Sequence, residues 1–382
     1  MEHVETLLAG LDHFTDDANG GLVPAIQPAV TSQILPGQGA LHYARSGNST
    51  SRLAEKLMTK LESGAEAALF NSGVSAAWAV LSTLKHGDSL IVEEECYYEF
   101  RNIMLAYCTQ HQIQLIFVDL NDNEALEQVL RCHQVNVVWA ETATNPLWKV
   151  IDIAQVAALV HRYQARLVVD ATVSTPLAIN PLQLGADIVL HSATKYLNGH
   201  GDLTAGFLVT REVDEWWELM MWFRTSSGTV LQTLDAWMLL RGMRTLALRF
   251  RHACDNAEKL AQALLQHPAV REVHYPGLEG DPWYSNAQRQ MNGFYGAMLS
   301  FRLHGGVTAA SLISTLTRTI RHSTSLGSTE SLIEHRQSTE GDQSRCPADL
   351  VRLSVGIENS DDLIADMQQA LDAISLMTPV YS

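Results

Sequence analysis

Short apolar runs alternate with helix-length amphipathic stretches through the middle of this chain. The runs stand at residues 89–92, 114–118, 136–140, 166–169, 187–190 and 206–209. Each is strand-length and nearly continuous in apolar residues, the pattern of strands buried on both faces. Helical stretches intervene at 126–132 and 154–162, and Leu53, Leu57 and Leu61 recur at helical spacing just upstream. Strand and helix in alternation predict an α/β fold with a large, mostly parallel sheet covered by helices on both faces. Ligands on such sheets sit beyond the carboxyl ends of the strands.

The flanks read differently. Residues 1–50 lack sustained periodicity and are rich in Gly, Pro, Ser and Asn, which predicts an extended arm that packs on a neighbouring subunit. One long helical region over 231–265 leads into a C-terminal part that mixes strands at 297–303 and 350–355 with helices at 309–316 and 360–376. The expected organisation is therefore an arm over 1–50, a large domain over 51–240 and a smaller α+β domain over 241–382.

Composition narrows the class. The formal net charge of -16 argues against nucleic acid or an anionic membrane as a partner, because both would repel the chain. No apolar stretch is long enough to span a bilayer, and the first residues lack the pattern of a signal peptide. Cys96, Cys108, Cys132, Cys254 and Cys346 are scattered, as in proteins of a reducing compartment, and a cytoplasmic location is expected. The 15 histidines form no His-Glu-x-x-His or other close cluster, so no metal is expected. A dinucleotide-binding dehydrogenase would need Gly-x-Gly-x-x-Gly after the first strand, whereas Gly37-Gln38-Gly39-Ala40-Leu41-His42 lacks the third glycine and the strand.

Four segments carry candidate chemistry. The run from Ala186 to Lys195 is a strand followed by the hydroxyls of Ser192 and Thr194 and then a lysine, and a Schiff base with an aldehyde is one reason to bury a lysine there. Asp170 ends another apolar strand, just before Ala171 and Thr172, where a carboxylate can hold a protonated pyridine nitrogen. Asn71-Ser72-Gly73-Val74-Ser75 precedes a helical stretch over 76–84, and free N–H groups at such a turn cradle phosphate. Tyr97 follows the strand at 89–92 and can stack on a planar ring. Taken singly, each has an ordinary alternative: a surface lysine, a turn cap for Asp170, a helix cap for Ser72, a half-buried tyrosine.

Together, in this order, they resemble the cystathionine γ-synthase/γ-lyase family, fold-type I enzymes that depend on pyridoxal phosphate (PLP). The matching text includes Tyr43-Ala44-Arg45-Ser46-Gly47-Asn48, Glu141-Thr142-Ala143-Thr144-Asn145-Pro146, the stretch from His191 to Gly199, the stretch from Asp235 to Thr245, and the stretch from Leu350 to Glu358. The resemblance implies that Lys195 carries PLP and shuttles protons, and that Asp170 holds the pyridine nitrogen. It makes Ser72, Gly73, Val74, Thr172, Ser192 and Thr194 cofactor contacts and Tyr97 the ring-stacking residue and an acid/base. Tyr43 and Arg45 would reach the phosphate of a neighbouring subunit, so a homodimer would complete the site and a tetramer is expected. Arg352 would bind the substrate α-carboxylate, and Ser325 would lie near the lysine and substrate.

Departures from the family pattern cluster around the substrate. Ala171 replaces a usual asparagine, Tyr98 and Glu99 stand where small residues are usual, Thr324 stands where several members have glutamate, and Arg336 replaces a common proline. Thr324 and Glu99 are therefore candidate substrate contacts. The implied reaction is γ-replacement on an amino acid with a γ-leaving group, with γ- or β-elimination on a sulfur amino acid as the alternative. A scaffold that kept the fold and lost activity is the remote reading.

Overall fold

The computed structural model describes residues 2–33, 43–341 and 344–377. Its first sheet is built from β1 (Glu66–Phe70), β2 (Ser89–Glu93), β3 (Gln114–Val118), β4 (Val137–Glu141), β5 (Arg166–Asp170), β6 (Ile188–Ser192) and β7 (Gly206–Thr210). The strand order is β1-β7-β6-β5-β4-β2-β3. Neighbours from β6 through β3 run parallel, whereas β7 runs antiparallel to both β1 and β6. The stretch between β6 and β7 holds no helix, so the chain must turn straight back rather than cross over. That turn carries Lys195.

The apolar runs read from the sequence become β2 to β7. The expectation missed β1, whose Glu66-Ala67-Ala68-Leu69-Phe70 text has little β-branched character and is held by pairing with β7. The expected long helix over 231–265 is two, Thr233–Met243 and Leu246–Leu265, which meet at Arg244 and Thr245. From the second helix the Arg249 guanidinium reaches back to the carbonyls of Tyr196 (2.9 Å) and Gly242 (2.7 Å). A side chain at Gly242 would come within 2.4 Å of the Asn198 carbonyl. This close approach fixes the turn that follows Lys195.

The second sheet comprises β8 (Val270–His274), β9 (Met298–Leu303), β10 (Arg321–His322), β11 (Leu332–His335) and β12 (Leu350–Ser354), in the order β10-β11-β12-β9-β8. One apolar core runs through both sheets, from Leu57 and Val169 to Phe301 and Leu353. A buried hydrogen bond from Trp148 Nε1 to Ser300 Oγ (2.9 Å) ties them together. The N-terminal segment, expected to be irregular, opens with the helix Val4–Gly10. So short a helix is stabilised by tertiary packing, here of buried Leu8 and Leu11. Among the described residues no helix is long and apolar enough to cross a membrane.

Candidate active site

The carboxyl ends of β4, β5 and β6 lie side by side, because Glu141 is in register with Asp170 and Asp170 with Leu190. A cavity of about 440 Å³ opens there. It is lined from the first sheet by Ser72, Gly73, Val74, Tyr97, Asp170, Thr172, Ser192, Thr194 and Lys195, and from the second by Thr324, Ser325, Arg336 and Arg352. The sequence-predicted residues within one chain thus converge, including Glu99 at the exposed rim. Tyr43 and Arg45 do not join them: both are exposed and lie outside this cavity. Residues 34–42, in the expected arm, lie outside the described residues.

On one wall, the helix Gly73–Leu81 points its N-terminus at the cavity. Ser72 caps it, its Oγ accepting from the Ser75 N–H at 3.0 Å, so the simple capping role is present too. The N–H groups of Gly73 and Val74 have no partner among the described residues. The Thr172 hydroxyl accepts from the Ser192 N–H (2.8 Å), while the Thr194 hydroxyl is already engaged with Ala205. A side chain at Gly73 would meet Ser192 Cβ at 2.9 Å, and one at Gly206 the Ser72 carbonyl oxygen at 2.3 Å. Glycine is needed at both places to let backbone approach backbone.

At the cavity floor, Asp170 is buried and accepts from the Thr172 N–H at 2.9 Å. Burial raises its pKa, offset in part by Thr172 and His191. Glu141 beside it is pushed well above the usual carboxylate range by burial and by the charge of Asp170. Burial also lowers Lys195 to about 8, with Arg352 contributing and Glu334 opposing. Tyr97 is raised by burial and by Glu99, so its phenol keeps its proton.

The opposite wall is charged. Arg352 donates to Asn145 Oδ1 (3.1 Å) and the Ser325 carbonyl (3.3 Å) and pairs with Glu334, its register neighbour on β11. Sequence reasoning assigns no role to Glu141, Asn145 or Glu334. The first two fall within the family-like text from Glu141 to Pro146, which was the available signal. Glu141 accepts from the N–H groups of Tyr97 (2.6 Å) and Asn145 (3.2 Å), so it joins the tyrosine to the partner of Arg352. Ala171, a departure from the family pattern, is fully buried and does not line the cavity.

The sequence pattern of the Cys/Met metabolism PLP-dependent enzymes matches residues 27–372. The chain belongs to that family. It is 39% identical over 340 residues to a cystathionine gamma-synthase of Mycobacterium bovis, covering 87% of each chain. It is 37% identical over 342 residues to an L-methionine gamma-lyase of Fusobacterium nucleatum, covering 87% of this chain and 86% of that one. The crystal structure of a cystathionine gamma synthase from Xanthomonas oryzae superposes with a TM-score of 0.92 at 33% identity, over 98% of this chain and 99% of the other. The protein is thus a PLP-dependent enzyme of the cystathionine γ-synthase type that acts on an amino acid, with the fold-type I architecture.

The cavity suits that cofactor chemically. Unpaired N–H groups at a helix N-terminus and the Ser72 and Ser192 hydroxyls suit a phosphate. The buried carboxylate of Asp170 suits a cationic ring nitrogen, and a lysine lowered to about 8 suits an aldehyde.

Proposed function

We propose that this family member catalyses γ-replacement on an amino acid bearing a leaving group at Cγ. The observation that carries the proposal is the meeting of Lys195, Asp170, Tyr97, Ser325 and Arg352 in one cavity. Bound PLP supplies an electron sink for negative charge released at Cα and Cβ. Ser72, Gly73, Val74, Thr172, Ser192 and Thr194 would hold it, and Asp170 would keep its nitrogen protonated. Lys195 would attach it and, with its pKa lowered to about 8 by burial, gives up its proton far more readily than an ordinary lysine, as a base for the Cα proton must. Tyr97, which lines the cavity and keeps its phenolic proton, would stack on the ring and serve as the proton donor. Arg352 fixes the α-carboxylate, while Ser325, Thr324 and Glu99 border the side chain.

The division into an arm over 1–50, a large domain over 51–240 and a small domain over 241–382 belongs to the same reading. The helix break at Arg244 and Thr245, between the two sheets, supports it. The exposure of Tyr43 and Arg45, neither of which lines its own chain's cavity, supports a homodimer in which they complete the partner's site. Family resemblance extends this to a tetramer.

Elimination is the second reading, favoured by the 37% identity to a methionine gamma-lyase. One experiment separates them. Purified protein, yellow when loaded and colourless as Lys195→Ala, is given an O-acyl homoserine with and without cysteine. Replacement predicts a thioether product and suppression of 2-oxo acid release by the thiol. Release at the same rate with and without thiol establishes elimination instead.

A further inference from the structure

Two arginines share one carboxylate at the substrate end of the cavity. Glu334 Oε1 receives Arg352 and, at 3.1 Å, Arg336 Nη1. All three side chains are at most 4% exposed. Arg336 also places Nε 2.7 Å from Glu340 Oε1, yet Nε has no aligned hydrogen-bond acceptor. Glu340 is held from its other side by the Ser344 hydroxyl at 2.7 Å.

Counting hydrogens shows why the sharing matters. Arg352 Nη2 donates to the Ser325 carbonyl and is in ion-pair contact with Glu334. Nη1 gives one to Asn145. Both bidentate forks of the guanidinium include Nη2, so with Ser325 and Glu334 on that atom neither fork is free for a carboxylate, although bidentate pairing is what arginine does best. An arriving substrate carboxylate must therefore displace Glu334. A displaced, buried and unpaired carboxylate would be costly. Arg336 removes that cost, since it already touches the same Glu334 oxygen and its Nη2 has no hydrogen-bond partner among the described residues.

We propose that Arg336 is a positioning residue that takes over Glu334 when the substrate α-carboxylate claims Arg352, so that carboxylate recognition in this enzyme is a counter-ion exchange between two arginines. The inference rests on the reading that Arg352 binds that carboxylate. It also accounts for an arginine at the position where the family commonly has proline.

The test compares two amines that reach the cofactor equally but differ in the carboxylate, L-norleucine and L-norleucinamide, each titrated spectroscopically into the holoenzyme. Removing Arg336 alone would strand Glu340, so the variant is the charge-balanced R336M/E340Q, with Arg336→Lys as a second that keeps the charge and loses the fork. Losing one charge-assisted partner predicts norleucine binding weakened about tenfold to a hundredfold. Norleucinamide binding should stay within about twofold, and Arg336→Lys should fall between. Equal weakening of both amines marks a merely structural role and overturns the proposal, as does unchanged norleucine binding. Arg352→Met separates the layers: if it too fails to discriminate norleucine from the amide, the reading of Arg352 falls; if it discriminates while the Arg336 variants do not, only the exchange falls.

Discussion

The Lys195 amine donates a 2.7 Å hydrogen bond to the Ser325 hydroxyl, joining the turn after β6 to the loop between β10 and β11 of the second sheet. Ser325 pays for this placement with a φ of 92°, in the region that favours glycine. Strain of this kind costs roughly 1–3 kcal/mol and persists only where surrounding structure over-determines it. Here it aims a hydroxyl at the lysine.

Ser325→Gly and Ser325→Ala should therefore separate function from stability. Both lose the hydroxyl, and both should lower kcat by about tenfold, the worth of one hydrogen bond to a charged or reacting amine. Only glycine relieves the backbone, so it should be the more stable of the two by about 1 kcal/mol in thermal denaturation. Equal stability would mean the serine is unstrained.

The lowered pKa of Lys195 predicts how the cofactor-free protein takes up PLP. Only the neutral amine attacks an aldehyde, so the uptake rate should climb with pH and level off near 8, rather than climbing on toward the ordinary lysine value of 10.5. The sign for stability follows. Between those two values the unfolded chain binds the proton and the folded chain does not, so this lysine's contribution to stability rises with pH across that window. Stopped-flow absorbance over a pH series tests the first statement; a plateau only above pH 10 contradicts it.

Much of this site was legible in the sequence because its residues sit at strand ends. Asp170 and Ser192 close apolar runs, and a parallel sheet with buried strands brings such ends together. Ser325 and Arg352 were placed only through the family resemblance, since nothing local tells that β12 will line the same cavity as the end of β6. What escaped were residues whose role is relational. Glu141 looks like any strand-ending acid until its oxygens are seen to hold the N–H groups of both Tyr97 and Asn145. Glu334 becomes notable only once Arg352 and Arg336 are found on one of its oxygens. The strand β1 escaped for a similar reason, being a product of pairing with β7 more than of its own composition.

Asp170 should matter through charge and not shape. Burial makes its ionised form costly, a cost that a cationic ring nitrogen would offset. Asp170→Asn keeps the volume and removes the charge, so the protein should still fold and still take up PLP, with kcat lowered by about 100-fold or more because the electron sink is weakened. Kinetics together with an absorbance titration of the cofactor would check this. Retention of full turnover would remove Asp170 from the chemistry.

Gly206 should be intolerant of even one methyl group. Its added carbon would lie 2.3 Å from the Ser72 carbonyl oxygen and 2.7 Å from the Gly73 nitrogen, both backbone atoms in the cap of the phosphate-facing helix. Gly206→Ala is expected to cost about 3 kcal/mol and to weaken PLP binding together with stability. Gly280, which has no atom within 4 Å of the same added carbon, is the control. Gly280→Ala should leave both quantities unchanged.

The placement of Arg45 makes the dimer testable without a structure of it. Arg45 is exposed and does not line its own cavity, so Arg45→Ala should disable the partner's site, whereas Lys195→Ala disables its own. Mixing the two inactive variants under conditions that exchange subunits then creates hybrid dimers in which one site carries both lesions and the other carries neither. Random assortment makes half the dimers hybrids, each with one intact site, so about a quarter of native activity should return. If Arg45 served its own chain, every hybrid site would carry one lesion and no activity would return.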